Sequence, residues 1–212
     1  FTPSLVMAQL NIISHLISML GEIGDERAEA VEQALGLCFC SESAAVRRYA
    51  GSALSALAIA ESGRAAKLFA STLNALKNAA DALFEASNGV ADKGKAQNHG
   101  IPRWAGTAKF GREIDAIHGW ALATACLVSA TPSLPLGIPS HYLRVACQIT
   151  AALIESPRCE HPGGRCVELE AGYIILGALC RHASGILTSV YQDSVLQMWL
   201  PMFSEGSLTL LG

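Results

Sequence analysis

The first twenty residues set a pattern that recurs along the chain. Leu5, Ala8, Ile12, Ile13, Leu16, Ile17 and Leu20 fall at three- and four-residue steps, with Gln9, Asn11, Ser14, His15 and Ser18 between them. That spacing predicts an amphipathic core helix rather than a strand. Thr2-Pro3 opens it, Gly21 to Asp25 breaks it, and Asp25 is positioned to cap a second helix running to about Phe39. Ser41 and Ser43 are candidate caps for a third helix reaching Ala60, and Ser62-Gly63 separates it from a fourth, Arg64 to about Ser87. Asn88-Gly89, a pair suited to positive φ, is expected to close the fourth. These four helices are expected to form two hairpins over residues 1–88.

Periodicity lapses over residues 89–113, where glycine, lysine, asparagine and proline predominate, and an irregular insertion is expected there. Helical spacing returns over 114–212. One helix is expected from Ile114 to Ala130, a rigid connection at Pro132 to Pro139, and a helix from Ser140 to Glu155. After a loop at Ser156 to Arg165, helices are expected from Cys166 to His182 and from Ser184 or Gly185 to Leu200. The resulting fold class is all-α, an alpha-alpha superhelix of the HEAT/armadillo type with about four helical hairpins. Helix starts near residues 3 and 43 are separated by about 40 residues, the period of a two-helix HEAT unit. The segment AAVRRYAGSALSALA at Ala44 to Ala58 has the small residues and the Val-Arg pair of a HEAT first helix.

Composition sharpens this picture. Half the residues are apolar and only 16% are charged, a mixture suited to closely packed helices. Mean hydropathy is +0.34, yet no uninterrupted apolar run of about 18 residues is present, so a soluble chain is expected. A net charge of -3 lacks the basic field that nucleic-acid binding requires. Seven cysteines is an odd number, and Cys38, Cys126, Cys147 and Cys180 lie in apolar helical patterns where a reduced thiol acts as a small hydrophobe. A reducing, cytoplasmic setting follows. The opening Phe and the lack of a polar terminal helix are expected of a piece cut from a longer protein.

Between Ile117 and Phe203 the chain carries HGWALA (His118 to Ala123), PLGIP (Pro135 to Pro139), EAGYIILGAL (Glu170 to Leu179) and Trp199 within QMWLPMF. In this order and spacing they resemble the family of large HEAT-repeat-containing protein 5 and SWEETIE scaffolds. The resemblance implies a long helical solenoid, without catalytic activity or cofactor. Its implied setting is membrane traffic between the trans-Golgi network and endosomes, as an accessory partner of clathrin adaptor complex 1, peripheral to those membranes. It also implies structural roles for the motifs: PLGIP fixes a turn, while Gly172 and Gly177 permit close helix contact.

Candidate chemistry is sparse. Cys159, His161 and Cys166, with Cys180 and His182 in the following helix, supply donors that zinc accepts, although Cys-x-His is not a usual knuckle spacing. Cys38-Phe-Cys40 lacks the two-residue spacer of redox motifs and reads as one core and one surface residue. No serine or cysteine sits in a nucleophile-elbow pattern, and no phosphate-cradling Gly-Lys-Ser/Thr is present. His118 shares a face with Ile114, Ala121 and Leu122, where a hydrogen-bonded interface histidine is expected. Lys93, Lys95, Arg103, Lys109 and Arg112, interleaved with Trp104 and Phe110, form a basic and aromatic stretch suited to an acidic peptide or anionic membrane. Three readings stay open: a trafficking scaffold, a generic assembly platform in another large complex, and a Cys/His metalloprotein or enzyme.

Overall fold

A computed structural model describes residues 2–94, 108–183 and 185, with side chains placed at 2–87, 109–183 and 185. The described residues fold into α1 (Pro3–Leu20), α2 (Asp25–Phe39), α3 (Ala44–Ala60), α4 (Ala65–Gly94), α5 (Ala108–Ala130), α6 (Ser140–Glu155) and α7 (Pro162–His182), with no strand among them. The expected final helix, Ser184 or Gly185 to Leu200, lies outside the described residues apart from Gly185.

Several boundaries differ from the expectation. α4 passes through Asn88-Gly89 to Gly94. Val90 and Ala91 prolong its apolar spacing, and one helical glycine costs only about 1 kcal/mol relative to alanine. α5 starts at Ala108, because Phe110 extends the apolar stripe backwards at four and seven residues from Ile114 and Ile117. Both ends of the anticipated 89–113 insertion are therefore helical. α7 starts at Pro162 rather than Cys166, since His161 caps it with Nδ1 accepting from the Gly163 and Gly164 N–H groups at 3.0 and 3.4 Å. Asp25 does not cap α2; Gly24 occupies the cap position, and the Asp25 carboxylate instead accepts from Arg64 at 2.7 Å. Ser43 does cap α3, accepting from the Val46 N–H.

The helices stack in two layers. α1, α3, α5 and α7 pack side by side, while α2, α4 and α6 form the other layer. Helix direction follows from paired contacts. Arg47 meets Asp115 and His118 near one end of α3 and α5, and Ser55 Oγ donates to the Cys126 carbonyl at 2.9 Å near the other. Phe110 meets His161 at one end of α5 and α7, and His118 faces Glu170 further along. α3, α5 and α7 are thus parallel, and α2 runs back against α3, its start held by Arg64 beyond the end of α3. This is an alpha-alpha superhelix.

Its hairpins are phased differently from the sequence expectation. α1 packs along α3 rather than against α2, and the close antiparallel pairs are α2 with α3, α4 with α5, and α6 with α7. α4 and α5, which flank residues 95–107 in sequence, are thus the two members of one hairpin.

Close approach is written into particular glycines. A Cβ on Gly51 would stand 2.7 Å from Cys126 Sγ, and one on Gly172 would stand 2.6 Å from Ile154 Cγ1. A Cβ on Gly119 would stand 1.9 Å from the Phe39 carbonyl oxygen, so the end of α2 rests directly on the α5 backbone. Beside that contact the Phe39 and Trp120 rings lie 4.9 Å apart. Gly177, expected to permit a similar contact, is exposed, and a Cβ there would meet nothing within 4 Å.

At the other edge, the α1–α2 and α3–α4 connections are joined. Gly21 and Gly24 adopt φ of 70° and 80°, which turns the chain sharply. The Glu61 carboxylate then accepts from the Ile23 and Gly24 N–H groups at 2.7 and 3.1 Å. Arg64 holds Asp25 and approaches Glu29 and Glu32, and its hydrogen bond to Asp25 raises its pKa further above the ordinary arginine value.

Candidate functional site

The most elaborate polar arrangement crosses three stacked helices. Arg47, in the first turns of α3, is only 6% exposed. Its Nη1 donates to the Ser41 carbonyl and to Asp115 Oδ1 at 2.6 Å, and its Nε donates to His118 Nδ1 at 3.1 Å. Because Nδ1 accepts, the neutral ring carries its proton on Nε2, which faces Glu170 Oε1 at 3.6 Å. Burial, reinforced by the Arg47 charge, lowers the His118 pKa below the ordinary histidine value despite Glu170 and Asp115. A neutral His118 therefore links a buried guanidinium on α3 to a carboxylate on α7.

His118 matches the interface role expected for it. Arg47, Asp115 and Glu170 were not foreseen. Arg47 lies three and seven residues before Ala50 and Leu54, so a charge standing on the apolar stripe of α3 was the available signal.

A second arrangement fixes the segment before α7. Glu168 is 1% exposed, and its Oε2 accepts from the Cys159 N–H at 3.0 Å. Burial raises its pKa, partly opposed by backbone hydrogen bonds from Cys159 and Arg158 and by the Arg158 charge. Arg158 donates to Asp81 Oδ1 at 2.6 Å and lies over the Phe84 ring, which ties the segment to α4.

The zinc candidates are not assembled there. Cys159 is buried beneath Gly164, whose Cβ would clash with its Sγ, whereas Cys166 is exposed. His161 Nδ1 is engaged in capping. Cys180 follows Cys166 by 14 positions, about 21 Å along a helix, and His182 lies beyond it. Among the described residues no three His, Cys, Asp or Glu side chains converge in a metal-binding arrangement. Cys38 is half-buried and Cys40 exposed, as expected for core and surface positions. Desolvation pushes Cys126 and Cys147 up to about 11, with Cys180 adding to the shift at Cys147.

The basic and aromatic stretch is only partly described. The side chains of Lys93, Lys95, Arg103 and Trp104 lie outside the described residues. Lys109 and Arg112 are exposed. Phe110, anticipated as a display residue, is instead buried, with its ring edge-on to His161 at 4.8 Å. Its place in the α5 stripe draws it into the core.

A different residue is displayed. Leu134, just ahead of PLGIP, and Ile138 within it are buried, while Leu136 is 98% exposed. Gly137 turns at φ 63°, and its N–H donates to the Leu134 carbonyl at 3.1 Å. Two buried anchors and a tight turn thus hold one leucine outward between α5 and α6.

These features define a helical superhelix segment whose most distinctive residues make contacts between helices. Over 206 residues the chain is 24% identical to Protein SWEETIE of Arabidopsis thaliana, a match that takes in 96% of this chain and 8% of that protein's length. The likeness therefore extends well beyond the C-terminal motifs. No family model matches the chain, and no solved structure matches it.

Proposed function

We propose that this chain is a non-catalytic scaffold segment of HEAT type, presenting loop edges and helix surfaces to protein partners. The observation that supports it most is where the motif residues lie. His118 and Glu170 join helices, Gly119 and Gly172 admit neighbouring helices, and Ile138 anchors a connection. Such contacts serve a long stack of repeats, which offers extended surfaces for binding.

The family resemblance supplies the finer reading: vesicle traffic between the trans-Golgi network and endosomes, with clathrin adaptor complex 1 or its accessory proteins as partners. On this reading the protein is cytoplasmic and reaches membranes through its partners. Leu136 is the first residue to test on that surface. The experiment is affinity purification of the full-length protein from its native cells, followed by mass spectrometry. Adaptor subunits recovered with the intact protein support the trafficking reading. A different stable assembly without them refutes it and leaves a platform for another complex.

A further inference from the structure

Each helix of the α1, α3, α5, α7 layer after the first is covered by the helix that precedes it: α2 lies on α3, α4 on α5 and α6 on α7. The described residues supply no such cover for α1. Leu10 and Ile17 of α1 are buried against α3, and Val6, Met7 and Ile13 pack beside them. A second set of large apolar side chains is open: Leu5, Ile12 and Leu16 are about half exposed, Met19 is 83% exposed and Leu20 69%. At about 100° per residue these five centre roughly 130° around the helix from the α3-facing stripe. Ser4, Asn11, His15 and Ser18 occupy the remaining wedge. α1 thus has two largely apolar flanks, the open one interrupted by Gln9, and one narrow polar one, the distribution expected of a helix with neighbours on two sides.

We infer that the open flank of α1 seats one more helix of the α2, α4, α6 layer, antiparallel to α1 and contributed by the same polypeptide ahead of Pro3 in the full-length protein. The inference rests on continuity with an interface that the fold already repeats three times. Its chemistry is set by the helices in the equivalent position. α2 buries Ala28, Leu35 and Phe39, and α6 buries Leu143, Ala146, Thr150 and Leu153. The covering helix therefore carries small and large apolar residues at three-, four- and seven-residue steps. A bilayer is a poorer occupant. α1 is long and apolar enough to cross one, but insertion would strip Leu10 and Ile17 from α3.

The test places the photo-crosslinking residue benzoylphenylalanine at position 12 or 16 of the full-length protein, with position 11 as the control on the polar wedge. Products are mapped by mass spectrometry. Positions 12 and 16 are expected to crosslink within the same polypeptide to a segment in the roughly 50 residues ahead of Pro3, about one repeat period, and position 11 is not. Crosslinks to lipid, to a second copy or to another protein overturn the inference, as does failure to crosslink at both 12 and 16. A mature chain with fewer than about ten residues ahead of Pro3, too short for a packed helix, overturns it outright. In the same protein, Ile12→Glu with Leu16→Glu is expected to speed limited proteolysis ahead of α1 at least tenfold. Asn11→Glu with Ser18→Glu is expected to leave that rate unchanged, and equal rates for the two pairs contradict the inference.

Discussion

Replacing Gly119 with alanine separates tertiary packing from helix propensity, because the two predict opposite signs. In an isolated helix the change stabilises by about 1 kcal/mol. Here the added Cβ would stand 1.9 Å from the Phe39 carbonyl oxygen, 2.7 Å from its carbonyl carbon and 3.0 Å from its Cα. All three are backbone atoms, so no rotamer change relieves the overlap. Restoring a carbon–oxygen contact of about 3.3 Å requires the end of α2 to retreat by roughly 1.4 Å. That movement opens the Phe39–Trp120 contact and loosens Phe39 and Leu35, both 1% exposed. Overpacking of this kind costs about 3 kcal/mol, at the upper end of its usual range, leaving a net loss near 2 kcal/mol after the propensity gain. With a urea m-value of about 2 kcal/mol/M, the midpoint falls by about 1 M. Equilibrium unfolding followed by far-ultraviolet circular dichroism reads this directly. Gly177→Ala is the control: its Cβ meets nothing within 4 Å, so stability rises by about 0.5–1 kcal/mol. A Gly119→Ala protein as stable as the parent, or more so, refutes the α2–α5 packing.

Three further outcomes are expected. Arg47→Met strands the Asp115 carboxylate and the Ser41 carbonyl, lowering stability by about 2–4 kcal/mol in the same assay; a loss below about 0.5 kcal/mol contradicts the buried relay. His118 folds with a pKa below its unfolded value of about 6.5. Its stability contribution is therefore full above that pH and declines as pH falls from there through the folded pKa. The slope is at most about 1.4 kcal/mol per pH unit, and His118→Asn, which keeps an acceptor for Arg47, removes it; an unchanged pH profile contradicts the assignment. Leu136→Ser leaves stability within about 0.5 kcal/mol while reducing partner recovery in affinity purification at least tenfold, and undiminished recovery removes Leu136 from the binding surface.

The helices were legible because their stripes are long. α6 begins and ends where the sequence indicates, since Ser140 follows Pro139 and the apolar spacing stops at Glu155. α7 was legible only from Cys166 onward. Its first turn depends on a histidine cap and on a glycine packed against Cys159, neither of which has a periodic signature. Hairpin phase was not legible either. Periodicity states that a helix has an apolar face, but not which neighbour covers it, and α1 with two such faces is the clearest example. The candidate site divides similarly. His118 was readable from its own helix, whereas its partners Arg47 and Glu170 lie 71 and 52 positions away in sequence.

The distribution of sulfur has a practical consequence. With their pKa values near 11, Cys126 and Cys147 are ionised in fewer than about one molecule in a thousand at pH 7.5. Cys40, at the end of α2, and Cys166, in α7, stand exposed. With the half-buried Cys38 and Cys180 replaced, a maleimide dye at each would report bending between the two layers by energy transfer.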